Sequence, residues 1–127
     1  MSVIERVKLT ANAKNQLVSL KRRTGIEHNN VLCRHALCLS LANPSAPPEE
    51  SLNFAGGVEI DWRTFTGGNE GVYHNLVVVR LLHDQITPTP NAIRQALVLH
   101  VHRGLSYLVS RRDDDLLTEL ALALTAG

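Results

Sequence analysis

Aromatic residues are scarce. Trp, Tyr and Phe together make up 4% of the 127 residues. A core must therefore be built from Leu, Val, Ile and Ala, which favours helices with aliphatic stripes over an aromatic-rich β fold. Cysteine is almost missing, with Cys33 and Cys38 the only two. Five residues apart in a helical run, they face roughly 140° away from one another. They cannot share a disulfide or a metal within one helix, and with no second pair a zinc site is not expected. Buried free thiols in a reducing cytoplasm are the expectation. No apolar run approaches the roughly 20 residues of a membrane span, and the N-terminus lacks a charged-then-apolar secretion pattern. A soluble, cytoplasmic protein is expected. Neither sign of charge dominates, since the formal net charge is +1.

The distribution of charge says more than its sum. Arg6, Lys8, Lys14, Lys21, Arg22, Arg23 and Arg34 crowd the first 35 residues against only Glu5 and Glu27. All three lysines of the chain fall there. Acids gather later, at Glu49-Glu50 and Asp113-Asp114-Asp115. A basic N-terminal third can create a local field that a neutral total hides.

That third has a recognisable outline. Val7 and Leu9 alternate with Arg6, Lys8 and Thr10, the period of a strand with an apolar inner and a basic outer face. Thr10 is placed to cap a helix from Ala11 to Thr24. Ala13, Leu17, Leu20 and Thr24 form its buried stripe, Lys14, Val18 and Lys21 an adjoining one. Lys21-Arg22-Arg23 in the last turn suit the helix dipole, and Gly25 suits a left-handed C-cap. A second helix, from about His28 to Ala42, is apolar over most of its surface, so it should be buried on several sides or in a subunit interface. Strand, helix, helix is a ribbon-helix-helix-like arrangement, whose two-stranded ribbon is expected to need two chains.

The remainder reads as one domain with it, spanning residues 1–127. The ribbon-helix-helix-like part covers 5–42, a proline-rich loop 43–53, and an extended segment plus helices 54–124. Val58, Ile60 and Trp62 alternate with Glu59 and Asp61, suggesting a short strand or arm. Gly71–Gln85 reads as a helix with Val72, Leu76, Val79, Leu82, His83 and Ile86 on its apolar face, although Val77-Val78-Val79 leaves a strand open. Thr89 and Pro90 suit the cap and first position of a helix over Asn91–Ser110, with Ile93, Leu97, Val101 and Leu105 as its core stripe. Acids at Asp113-Asp114-Asp115 suit the start of a last helix, Leu116–Leu124. The fold class is therefore mainly α.

Catalytic patterns are hard to find. His100 and His102, two apart on a helix, point about 200° from one another and cannot chelate jointly. His28 and His35 lie two turns apart, and His35 reads as a core or interface residue. Glu59 and Asp61 share one side of the strand, where solvation or ion pairing explains them better than acid–base chemistry. Gly56-Gly57 and Gly67-Gly68 do not match a phosphate loop. No nucleophile–base pair emerges, so a non-catalytic protein without metal or cofactor is expected. What remains is the basic set Arg6, Lys8, Lys14, Lys21, Arg22 and Arg23, suited to phosphate contact with counterion release. Only Arg6 offers base reading, so binding should follow the backbone rather than the sequence.

The run K-x-x-L-V-S-L-K-R-R-T-G-I from Lys14 to Ile26, with N-V-L-C-R-H-A-L-C-L-S-L from Asn30 to Leu41, resembles the DndE family of DNA sulfur-modification (phosphorothioation) proteins. G-G-V-E-I-D-W-R-T-F-T-G, Gly56–Gly67, is similar to that family's central segment. The likeness covers about residues 5–120. It implies a small, mostly helical homo-oligomer, a tetramer, acting with a sulfur-activating ATP-pyrophosphatase-like subunit and an SMC-like ATPase subunit. It implies binding of duplex DNA, preferably nicked, through surface lysines. Carried over by position, these are Lys14 and Lys21, supported by Lys8, Arg22 and Arg23. The resemblance makes Cys33 and Cys38 candidates for sulfur transfer, which burial of their helix argues against. The leading expectation is a non-catalytic DNA-binding subunit; a protein–protein adaptor of the same complex and a ribbon-helix-helix transcription regulator are the alternatives.

Overall fold

A computed structural model describes residues 3–126 of the chain. The element order is β1 (Arg6–Leu9), α1 (Ala11–Thr24), α2 (Asn29–Ala42), β2 (Val58–Asp61), α3 (Trp62–Thr66), α4 (Glu70–His83), α5 (Pro90–Ser110) and α6 (Asp113–Ala126). The protein is mainly helical, as its aliphatic composition implies. The local punctuation acts as expected. Thr10 Oγ1 accepts from the Ala13 N–H at 3.1 Å, Thr89 Oγ1 from the Ala92 N–H at 3.1 Å, and Gly25 closes α1 at φ 75°.

Helix α5 is the axis of the domain, with α1, α2, α4 and β1 all packed on it. Its buried set of Ile93, Leu97, Leu99, His100, Val101, Gly104, Leu105 and Leu108 spreads beyond one stripe, because neighbours lie on more than one side. Gly104 sets the depth of the α2–α5 crossing. A Cβ there would stand 1.8 Å from the Ala36 carbonyl oxygen, so only glycine permits this approach. Helix α2 contributes Leu32, Cys33, Ala36 and Leu37 to the same core.

The ribbon departs from the two-chain expectation. β1 pairs antiparallel with β2 of its own chain, Val7 opposite Ile60 and Leu9 opposite Val58. The strand–helix–helix outline stands, but its second strand comes from the segment after the proline-rich loop. Trp62 leaves the alternation and opens α3, where its ring stacks on Phe65 at 5.5 Å between centroids.

Helix α4 forms despite its three consecutive valines, since tertiary packing outweighs modest propensity differences. It faces the other way from the expected stripe, however. Val77, Arg80 and Leu81 are buried, while Val72, Leu76, Val79 and Leu82 are exposed, Val79 by 63%. The helix is apolar on two faces, so periodicity could not choose between them. The choice is made by Arg80, whose guanidinium reaches carbonyls at the end of α2.

Candidate nucleic-acid interface

The outward face of β1 carries Arg6 and Lys8, as its alternation requires. Across the ribbon they meet acids: Arg6 lies opposite Asp61 and Lys8 opposite Glu59. Arg6 Nη1 stands 3.9 Å from Glu59 Oε2, a loose contact between two well-exposed side chains. Such exposed pairs contribute little to stability. Asp61 is also used locally, its Oδ2 accepting the Thr64 N–H at 3.2 Å to cap α3. The ribbon face is thus balanced in charge. Glu59 and Asp61 face the basic residues of β1.

The cations of α1 are placed differently. Lys14 and Arg22 are exposed and Lys21 is half-buried. No side-chain hydrogen bond or ion pair holds any of the three among the described residues. Lys21 lies seven positions after Lys14, so they share one face about 10 Å apart along the axis. Val18 sits exposed between them.

Arg23 does not join them. Its Nε donates to Asp113 Oδ1 at 2.7 Å, its Nη1 to the Val109 carbonyl at 3.1 Å and its Nη2 to the Arg111 carbonyl at 2.5 Å. It fastens the end of α1 to the turn between α5 and α6. Arg34 is likewise occupied, donating to the Phe65 carbonyl at 2.9 Å.

A second cluster of cations closes the C-terminus of α2, which has no basic residue in its own last turn. From α5, Arg103 donates to the Ser40 carbonyl and Oγ, both at 2.8 Å, and to the Ser45 carbonyl at 2.8 Å. From α4, Arg80 donates to the Leu41 carbonyl at 3.0 Å and the Ser45 carbonyl at 2.6 Å, while its Nε pairs with Asp84. Carbonyls orphaned at a helix end thereby gain charged donors. Sequence reading missed this role. Its one signal is a lone arginine inside an apolar run, Val77–Leu82 for Arg80.

His100 completes the cluster. Its Nδ1 lies 2.8 Å from Ser40 Oγ. That hydroxyl also accepts from Arg103 at 2.8 Å and can turn its own proton toward a neutral ring. Burial first, then the charges of Arg80 and Arg103, push the His100 pKa down to about 4. His102 is fixed too: Nδ1 donates to the Val98 carbonyl at 2.7 Å, and Nε2 accepts the Thr10 N–H at 3.2 Å. Burial lowers its pKa as well. His35 is half-buried against Glu119 at 3.3 Å. No group of three or more His, Cys, Asp or Glu among the described residues could hold a metal.

The cysteines divide. Cys33 is buried, which pushes its thiol up to about 12, far from a reactive thiolate. Cys38 is exposed, contrary to the expectation of two buried thiols, because five residues along α2 carry it round to the open side. Packing on its inner side still raises its pKa.

The family model for DndE, the DNA sulphur modification protein, matches residues 6–115. The chain belongs to the DndE family. Its fold is similar to the crystal structure of DndE from Escherichia coli B7A, involved in DNA phosphorothioation modification. There the TM-score is 0.69 at 23% identity, covering 85% of this chain and 99% of that one. It is also similar to the crystal structure of a DndE G21/24K mutant involved in DNA phosphorothioation. In that case the TM-score is 0.63 at 20% identity, with the same 85% and 99% coverage. No curated protein matches the chain. Membership of DndE accounts for the likeness in the Lys14–Ile26, Asn30–Leu41 and Gly56–Gly67 segments, and places the chain in DNA sulfur modification. No helix among the described residues is long and apolar enough to cross a membrane.

Proposed function

We propose that this chain is the non-catalytic DNA-holding subunit of a cytoplasmic phosphorothioation complex. It grips duplex DNA through the phosphate backbone while a sulfur-activating subunit and an SMC-like ATPase subunit do the chemistry. The observation that carries this reading is the α1 face: Lys14 and Lys21 share it, Arg22 adjoins it, and among the described residues no acid pairs with them. Lys8 and Arg6 extend the cationic set along β1 beside Glu59 and Asp61, whereas Arg23 is committed to Asp113 and the Val109 and Arg111 carbonyls. Nicked duplex is the favoured form, because a break lets the backbone bend toward a small basic surface.

Each patch is small, so affinity must come from several at once. The exposed α4 stripe of Val72, Leu76, Val79 and Leu82, with Ile86 beyond it, supplies an apolar face for a homo-oligomer, a tetramer in this reading. Four copies turn weak contacts into avidity. The same stripe favours a second reading, an adaptor that docks partner subunits. The transcription-regulator alternative rests on a ribbon made by two chains, and β1 is paired within its own chain.

Fluorescence anisotropy on nicked, intact and single-stranded DNA of unrelated sequence, over a salt series, tests the proposal. Expected is tightest binding to the nicked duplex, with log affinity falling linearly against log salt. Absence of binding at low salt would sink it and leave the adaptor. A complex with partner subunits that survives nuclease and high salt would then be the adaptor's positive sign.

A further inference from the structure

Beside the ribbon lies a groove of about 500 Å³, walled by β1, by the loop around residues 50–54 and by the first half of α5. That volume falls within the range of small-ligand sites. Arg6 and Lys8 line it from β1, and Arg94 from α5. Glu50 is the one acid among the lining residues, and Glu59 stands outside the groove, 3.9 Å from Arg6. Arg94 donates from Nη1 to the Val3 carbonyl at 2.9 Å and from Nη2 to Asn91 Oδ1 at 2.6 Å, which leaves each of these nitrogens a second N–H. Apolar surface comes from Leu52, Val98 and the ring of Phe54, which is 37% exposed.

Phe54 is one of only two phenylalanines in the chain, and the fold holds it in place. Asn53 Oδ1 accepts the Ala55 N–H at 2.9 Å, and the Phe54 carbonyl accepts the Gly57 N–H at 3.1 Å. Gly57 lies directly on the end of β1, where an added Cβ would come 1.8 Å from the Leu9 carbonyl oxygen. The turn bearing the ring is therefore seated on the same strand that carries Arg6 and Lys8. Cations beside an accessible aromatic face are the chemistry that holds a nucleotide out of its stack: charge for the phosphate, ring for the base.

We propose that this groove takes one unstacked nucleotide of the bound DNA, its phosphate on Arg6, Lys8 and Arg94 and its base against Phe54. The inference rests on the reading of the chain as a DNA-backbone binder and states what that binder recognises beyond the paired duplex. Binding needs no sequence, because every base has a face to stack.

The test compares a fully paired duplex with the same duplex carrying a single unpaired thymidine, by anisotropy on the full chain. The protein should favour the unpaired site by about ten-fold, as a single base–aromatic stack allows. Phe54→Ala should erase that preference while leaving affinity for the paired duplex within about two-fold, and Phe54→Trp should retain it. The side chain is on the surface, so neither variant threatens the fold. Equal affinity for both duplexes, or a preference that survives Phe54→Ala, overturns the inference and leaves the backbone-binding function standing. Failure to bind either duplex at low salt removes both.

Discussion

Two groups of cations, one on α1 and one at the end of α2, show how the same chemistry is put to opposite uses. Lys14 and Arg22 are exposed and Lys21 half-buried, and no side-chain hydrogen bond or ion pair among the described residues holds them. Arg80 and Arg103 spend their donors on the carbonyls of Ser40, Leu41 and Ser45. The first group costs the fold little and leaves its charge for a ligand. The second is built into the fold, with every guanidinium nitrogen already donating to the protein. Arg23 and Arg34, though neighbours of the first group in sequence, belong with the second.

Removing a cation from the α2 cap should produce the largest effect. Arg80 is 7% exposed and pairs with Asp84 at 3.0 Å. Arg80→Ala leaves a largely buried carboxylate unpaired and the Leu41 carbonyl without its side-chain donor, while the Ser45 carbonyl keeps Arg103. A loss of about 3–5 kcal/mol is expected, read from the urea midpoint at constant m-value. A loss below about 1 kcal/mol would mean that the cap is decorative and the contrast with α1 false.

Acid should break the same cap from another side. His100 titrates near 4 in the fold against an ordinary value of about 6.5. The unfolded chain therefore takes up the proton first. Stability is intact above pH 6.5 and falls as pH drops from about 6.5 to about 4, by about 2–3 kcal/mol. His102, lowered as well, adds to the loss in the same direction. Urea midpoints across that window check it, and His100→Asn should make the fall shallower. A flat profile in the parent protein would show that the ring is not held neutral by Ser40, Arg80 and Arg103.

How far the sequence reaches can be read from these residues. The caps at Thr10, Gly25 and Thr89 were legible because their chemistry is local, acting within three or four residues. The strand Val58–Asp61 and the core stripes of α1 and α5 were legible because periodicity reports burial. The α4 face was not, since both of its sides are apolar and the deciding contact, Arg80 with Leu41, joins residues 39 apart. The same holds for the candidate interface. Six basic residues could be named, but spacing along the chain did not show that Arg23 is committed to the α5–α6 turn. Nor did it show that Arg6 and Lys8 face Asp61 and Glu59 across a ribbon made by one chain. Phe54 and Arg94 escaped notice because they become neighbours only when the loop lies over β1.

The α1 lysines give the smallest expected change in stability and the sharpest test of the division. Charge reversal in Lys14→Glu with Lys21→Glu removes no side-chain hydrogen bond or ion pair among the described residues. It loses the dipole complement and part of the packing of half-buried Lys21 in the last turn of α1. The unfolding free energy should therefore move by no more than about 1 kcal/mol. DNA affinity should fall instead. The slope of log affinity against log salt should also become shallower by about one unit for each lysine that met a phosphate. Light scattering on the same variant should show the same oligomeric state as the parent protein, because the α4 stripe is untouched. If the fold or the assembly fails while the salt slope stays as it was, these lysines are structural. The two groups of cations would then differ in position rather than in purpose.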